Sequence, residues 1–204
     1  MSYKYDVFLS YRRDCTCQTW VDEIFYPLFQ SYLSEALGYE ASIFKDTEAI
    51  RTGSAWQSQL KNALAYSKVL VPIFIPSYFW HEYCVREFSV LDYRQKQLGY
   101  LTNIKPEGLI VPIRLFDGEH FPDYVTGIQM LQATEYNIIG DGMKKTELYV
   151  RLQYILQKWI YDVCTAIIKS PVWNPDWIND EWSEDPFKLY PLLVNSNNLI
   201  APKL

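Results

Sequence analysis

"KVLVPIFI", residues 68–75, is the stretch that most restricts what this chain can fold into. It is apolar at consecutive positions, so both faces of a strand built from it must be covered. Such a strand belongs inside a parallel sheet with helices on each side; a one-sided antiparallel sheet would alternate apolar and polar residues. Pro72 cannot donate to a ladder, so a bulge or one free edge is expected there. The rest of the chain supplies strands and helices in alternation. "YDVFLSY" (5–11) reads as a buried first strand, and a helical pattern follows from Gln18 to Leu37. That helix carries Val21, Ile24 and Leu28 on one face and Gly38 as its stop. Pro27 inside it predicts a kink, or two shorter helices. "ASIFKD" (41–46) is a second strand, and the next helix opens on a capping box, Ser54 with Gln57. "GLIVPIRL" (108–115) reads as the fourth strand and "ATEYNI" (133–138) as the fifth. A long helix then places Leu148, Leu152, Ile155 and Trp159 at helical spacing. The predicted fold is α/β, a doubly wound parallel sheet of about five strands with flanking helices.

With 204 residues, 49% of them hydrophobic, the chain can build one substantial core. A net charge of −5 argues against a broad basic surface, so no nucleic-acid partner is expected. The four cysteines, Cys15, Cys17, Cys84 and Cys164, include one close pair and no second pair to complete a zinc site. Free thiols in a reducing compartment, with no metal, are the expectation. "MSYKYDVFLSYRRD" reads as neither a signal peptide nor a transit sequence, and no apolar run reaches membrane-span length. A soluble cytoplasmic protein without a membrane partner is expected. Composition shifts near residue 170, which divides the chain into a folded domain, 1–169, and a Pro/Trp-rich extension, 170–204. Two readings of the extension stand: an extended tail wrapped on the domain, or a docking strip for a second subunit or partner.

One residue is out of place in this pattern. In "SYFWHEYCVREFSVL" (77–91), Cys84, Phe88 and Leu91 form an apolar helical stripe, and Glu87 projects at its edge. A buried carboxylate costs free energy unless it is paired. The bland reading is a rim glutamate that swings into water or pairs with Arg86 or Arg94. The alternative comes from the sheet: ligands of open parallel sheets bind beyond the carboxyl ends of the strands. The segments expected there are "SYRRD", "KDTEAIRTGSAW" and "PSYFWHEYCVRE". Together they bring Ser10, Tyr11, Arg12, Arg13, Asp46, Trp56, Tyr83 and Glu87, with Phe44 expected to line the same crevice. Two guanidiniums, several aromatic faces and one carboxylate suit a phosphate-bearing aromatic ligand such as a dinucleotide. A receiver domain would need an acidic pair where Ser10 and Tyr11 stand. A Rossmann or P-loop site would need a glycine-rich first turn, and "SYRRD" has none.

"YDVFLSYRRD", "IFKDTEAIRTGSAWQSQLKNALAYS", "VLVPIFIPSYFWHEYCVREF" and "GLIVPIRL" resemble, in order and spacing, the boxes of a Toll/interleukin-1 receptor (TIR) domain. More narrowly they look like bacterial TIR proteins, and "DGEHFP" is also familiar there. The resemblance spans roughly residues 3–168 and implies a flavodoxin-like fold. It further implies cleavage of NAD+ to nicotinamide and ADP-ribose, or to a cyclic or conjugated ADP-ribose signal. NAD+ is then the substrate, and no cofactor is implied. The family's Trp-Cys-x-x-Glu pattern reads "YCVRE" here, which makes Glu87 the catalytic carboxylate and Tyr83 a departure from tryptophan. The resemblance also implies anti-phage immunity, self-association through the 46–54 loop, and a separate effector that reads the nucleotide product. Two rivals remain: a non-enzymatic adaptor that acts by homotypic assembly, and an enzyme like the nucleoside deoxyribosyltransferases.

Overall fold

A computed structural model describes residues 2–45, 56–119, 121–179 and 190, without the side chains of 56–58 and 179. Asp46, the 46–54 loop and Ser54 of the expected capping box lie outside the described residues. Five strands form one sheet: β1 (Tyr5–Ser10), β2 (Ile43–Lys45), β3 (Ser67–Phe74), β4 (Ile113–Arg114) and β5 (Leu131–Gln132). Their order is β2-β1-β3-β4-β5 and every neighbouring pair is parallel. This is the flavodoxin-like order, in which the winding direction reverses between β1 and β3. Those two strands pair from Tyr5 with Ser67 to Ser10 with Pro72. Both are sheathed on each face, and Val7, Phe8, Val69, Leu70, Val71, Ile73 and Phe74 are fully buried.

Pro72 produces neither the expected bulge nor a free edge. β3 is flanked on both sides, and its pairs with the fourth segment, Leu70 with Ile110 and Ile73 with Ile113, keep one register across the proline. The missing N–H falls in the interval between those pairs, alongside a segment that carries Pro112. Pro72 removes a donor on the side of β3 that faces the fourth segment, and Pro112, whose carbonyl accepts from Leu131 N–H, lacks one on the side that faces β5. Regular pairing of the fourth strand contracts from the expected 108–115 to Ile113–Arg114. The fifth strand is also corrected: it is Leu131–Gln132, and the expected 133–138 contains a 3-10 turn at Thr134–Tyr136. That turn buries Tyr136 and presents its carbonyl to Trp20 Nε1 at 2.7 Å, a contact a continuing strand would not make.

The first helical pattern is resolved in a way that periodicity does not reveal. α1 (Thr16–Trp20) passes through a π-helical turn, Val21–Phe25, into α2 (Tyr26–Leu37), with Pro27 in the first turn of α2. A π turn widens the backbone where proline has no N–H to give and its ring would clash with the preceding turn. Gly38 stops the helix in the left-handed region, at φ 75°, and its N–H reaches Ser34 O. Within this segment Trp20 stacks on Phe25 at 5.4 Å and Phe25 on Phe29 at 4.9 Å, and Phe29 meets Trp159 of α6 (Glu147–Ile168) in a tilted contact at 5.8 Å. Each such pair adds about 0.5–1.5 kcal/mol beyond its buried area.

α3 (Trp56–Ala65) and α4 (Glu82–Gln97) pack against β1 and β3. A 3-10 turn, Pro76–Trp80, leads from β3 into α4. Two short helices, α5 (Asp123–Thr126) and α7 (Asp176–Asn179), and a 3-10 turn, Met143–Lys145, complete the described elements. α4 is buried nearly all round, well beyond the expected stripe: Val85, Ser89, Asp92, Arg94 and Gln95 join Cys84, Glu87, Phe88 and Leu91. Its outer side is covered by residues from beyond position 170. Trp173 stacks on Tyr66 at 5.2 Å and donates to Ala65 O, and the Arg94 guanidinium lies 4.2 Å from the Trp177 ring. Tyr190 is buried between Phe88 and Tyr124 and donates its hydroxyl to Asp92 Oδ2 at 2.5 Å. Among the described residues, no helix is long and apolar enough to cross a membrane.

Candidate active site

Where β1 and β3 end side by side, the chain leaves in opposite directions, and the space between is the natural ligand crevice of this topology. After Ser10 the chain runs through Tyr11, Arg12 and Arg13 to Asp14, which adopts a left-handed φ of 57°. Aspartate tolerates that region, and here Asp14 N–H is received by Gln18 Oε1 at 2.9 Å. The sharp turn leaves the two arginines at the sheet's carboxyl edge. From the other strand, Pro76–Trp80 and the extended residue His81 lead into the first turns of α4. The resulting crevice is lined by Leu9, Tyr11, Arg13, His81, Tyr83, Cys84 and Glu87.

Glu87 is the centre of this arrangement. It is 5% exposed, so it is no rim glutamate. Of the two arginines proposed for the bland reading, Arg86 forms an ion pair with Glu82 at 2.6 Å. Arg94, two turns further along the helix, donates to the carbonyls of Ser67 and Leu64. Glu87 Oε2 instead accepts from Ser10 Oγ at 2.5 Å. Ser10 Oγ lies 2.8 Å from the hydroxyl of Tyr78, and since its own proton points to Glu87, Tyr78 is the donor in that contact. Burial raises the Tyr78 hydroxyl well above its ordinary range, and its closeness to Cys84 and to the Glu87 carboxyl adds to that. Tyr78 therefore stays protonated and orients Ser10 toward the carboxylate. A chain of two hydroxyls thus supplies the hydrogen bond that a buried carboxylate demands, and it fixes Glu87 in one position.

The electrostatics of the crevice follow from the same turn. His81 is half-buried, with Nδ1 3.6 Å from Cys84 Sγ and its ring tilted over Tyr83 at 5.7 Å. Burial, then the charges of Arg12 and Arg13, hold the imidazole below its usual range. Cys84 is raised well above the usual thiol range, by burial first and then by Glu87. Cys15, half-buried at the start of α1, donates to Arg12 O at 3.2 Å. Its thiol is lowered to about 6, chiefly by a hydrogen bond with Cys17. The crevice volume of about 10 Å³ is room for roughly one water.

Of the residues the sequence put forward, Ser10, Tyr11, Arg13, Tyr83 and Glu87 come together here. Arg12 stands beside them: its charge acts on Cys15, His81 and Cys84, but it is not part of this crevice lining. Phe44 stacks on Phe8 at 5.0 Å and meets Tyr5 edge-on at 5.2 Å, as packing of the sheet, and it does not line this crevice. Trp56 opens α3, with its side chain outside the description, as Asp46 is. Sequence reasoning missed His81 and Tyr78. Both lie in "PSYFWHEYCVRE", a segment already assigned to the site, where attention to the residue before the helix would have found His81. Among the described residues, no three His, Cys, Asp or Glu side chains converge as a metal-binding group.

A family model described as a TIR domain matches residues 7–142. The chain belongs to the TIR domain family. It is 30% identical over 117 residues to the probable 2' cyclic ADP-D-ribose synthase BdTIR of Brachypodium distachyon, an alignment covering 57% of this chain and 49% of that protein. The chain thus spans about half the length of that curated relative. Among solved structures, it is similar to the TIR domain of the Toll-related receptor TRR-2 from Hydra magnipapillata. There the TM-score is 0.44 at 16% identity, covering 76% of this chain and 99% of that one. The TIR domains of the activated Roq1 resistosome give 0.42 at 18%, covering 82% and 86%.

Proposed function

We propose that this chain cleaves the nicotinamide–ribose bond of NAD+, with Glu87 as the catalytic carboxylate. The observation that carries the reading is the hydrogen-bond chain Tyr78–Ser10–Glu87, which holds a buried carboxylate at the crevice between β1 and β3. Nicotinamide in NAD+ is already cationic and leaves with the bonding electron pair as a neutral molecule, so its departure needs no acid. The oxocarbenium-like ribose left behind needs an anion beside it, and Glu87 supplies one. This is glycoside hydrolysis with one of its two usual carboxyl roles unnecessary. Arg12 and Arg13 bring positive charge for the diphosphate, and Tyr11 and Tyr83 bring ring faces for the nucleotide. Water as acceptor gives ADP-ribose; a hydroxyl of the substrate's own ribose gives a cyclic isomer. Similarity to the Brachypodium protein, a probable 2' cyclic ADP-D-ribose synthase, supports a cyclic product.

A crevice of this volume does not admit a dinucleotide, so the reading includes a rearrangement on self-association, with the 46–54 loop completing a neighbour's site. In this reading the protein is a cytoplasmic producer of a nucleotide signal in bacterial anti-phage immunity, with a separate effector as reader. Purified protein incubated with NAD+, dilute and under crowding that drives assembly, should release nicotinamide, with the ADP-ribose products identified by mass. Glu87→Gln should lower that release by at least about a hundredfold. No release in either condition, or normal turnover in the variant, overturns the proposal and favours the adaptor reading. Cleavage of deoxynucleosides in place of NAD+ would favour the deoxyribosyltransferase-like one.

A further inference from the structure

We propose that His81 is the proton acceptor for the hydroxyl group that captures the ribosyl cation, and hence that this site makes oxygen-linked products. The inference rests on the NAD+ reading above and deepens it. Its starting point is a chemical gap. Nicotinamide departs without a proton, but a water or ribose hydroxyl that attacks the cation must lose one. The oxygen–C1' bond forms with an oxygen lone pair, and the O–H proton has to pass to a base and then to solvent. Glu87 is engaged with Ser10 and, in the NAD+ reading, is the anion that stabilises the cation, so the proton is assigned to a second group on the nucleophile's side.

His81 stands in that position. It shares the crevice lining with Glu87, Tyr83 and Arg13. Its backbone is extended, φ −102° and ψ 116°, immediately before α4, which sets the ring at the crevice wall. In the Nδ1–H tautomer, Nδ1 donates to Cys84 Sγ at 3.6 Å and the Nε2 lone pair is the acceptor, while the ring is tilted over Tyr83 at 5.7 Å. Among the described residues, Nε2 takes no hydrogen bond, and it is the ring nitrogen left for a ligand. The charged and titratable groups around the ring are Tyr11, Arg12, Arg13 and Asp14 from the turn after β1, and Glu82, Tyr83, Cys84 and Glu87 from α4. Burial and the two arginines outweigh Asp14 and Glu82, so the imidazole is held neutral and able to accept a proton near neutral pH.

The test compares two acceptors for the same cation. Hydroxyl capture requires a proton to leave; capture by an added pyridine base such as 3-acetylpyridine forms an N–C1' bond and requires none. In His81→Ala and His81→Gln, the ratio of oxygen-linked products (ADP-ribose plus cyclic isomers) to pyridine-exchanged dinucleotide should fall by roughly tenfold or more. In the wild type that ratio should fall as pH is lowered through the His81 titration, and in both variants the dependence should vanish. Circular dichroism and thermal melting establish that the variants fold, and glutamine preserves a polar group in the crevice should alanine not fold. Nicotinamide release by the wild type together with an unchanged ratio and pH profile in a folded variant overturns this inference and leaves the NAD+ reading standing. No release by the wild type in any condition overturns both.

Discussion

Glu87 and Asp92 are two buried carboxylates on one helix, 5% and 3% exposed, and their surroundings differ in kind. Asp92 is closed in by three side chains: the hydroxyl of Tyr190, the amide of Gln95 at 2.7 Å, and the ammonium of Lys96 at 2.6 Å. Its neighbour Arg94 is likewise held, by two carbonyls near the end of α3 and by the Trp177 ring. That end of α4 is a satisfied structural joint, sealed by residues from beyond position 170. At the other end, Glu87 takes a hydroxyl from the strand beneath it and fronts a crevice with three rings and a guanidinium around it. A carboxylate surrounded by donors holds a fold together. One that is oriented by a chain of hydroxyls and lines a crevice is placed for a ligand.

The comparison breaks if the two carboxylates respond alike. Glu87→Gln should remove at least about two orders of magnitude of nicotinamide release, with little change in the urea midpoint. Asp92→Asn should do the reverse: about 2 kcal/mol of lost stability in urea unfolding, with turnover retained below the transition. Ser10→Ala comes next in size, because it removes the donor to Glu87 and the acceptor for Tyr78 together. An expected loss of about 1–3 kcal/mol should accompany a fall in kcat that exceeds any change in KM; a KM effect alone would show that Ser10 serves binding only. Tyr190→Phe sharpens the structural side. It keeps the ring against Phe88 and Tyr124 and deletes only the bond to Asp92, so about 1 kcal/mol of stability is expected to go, again by urea unfolding.

The smallest effect belongs to Cys15. Its thiol is depressed from 9.0 to about 6, so the stability this ionisation contributes is complete above the unfolded value and is lost as pH falls through about 6. The thiolate should be alkylated with a midpoint near that pH, while buried Cys17 and Cys84, both pushed upward, should stay unreactive in the native state. Peptide mass mapping after iodoacetamide at stepped pH would show it. A midpoint near the ordinary thiol value would remove the electrostatic account of the turn after β1.

The amino-acid sequence determined the layer architecture and its order. Consecutive apolar residues in "DVFL" and "VLVPIFI" leave a strand no option but burial on both faces, and the amphipathic segments between them must form the covering helices. It also singled out Glu87, since a carboxylate next to an apolar helical stripe conflicts with local pattern, and such conflicts gather at functional sites. Ser10, Tyr11, Arg13 and Tyr83 were legible for a topological reason: they follow strands whose carboxyl ends must meet. What periodicity cannot hold is anything set by distant partners. The π turn before Pro27, the two-residue fourth and fifth strands, and the packing role of Phe44 were each decided by what the folded neighbours offered. So was the difference between Glu87 and Asp92. Both are acidic residues on the same helix, and only the placement of Ser10 beneath one and Tyr190 above the other makes one a candidate for chemistry and the other a joint. A side chain's burial is written in its own neighbourhood of sequence, whereas its hydrogen-bond partners come from segments that only the tertiary fold brings within reach.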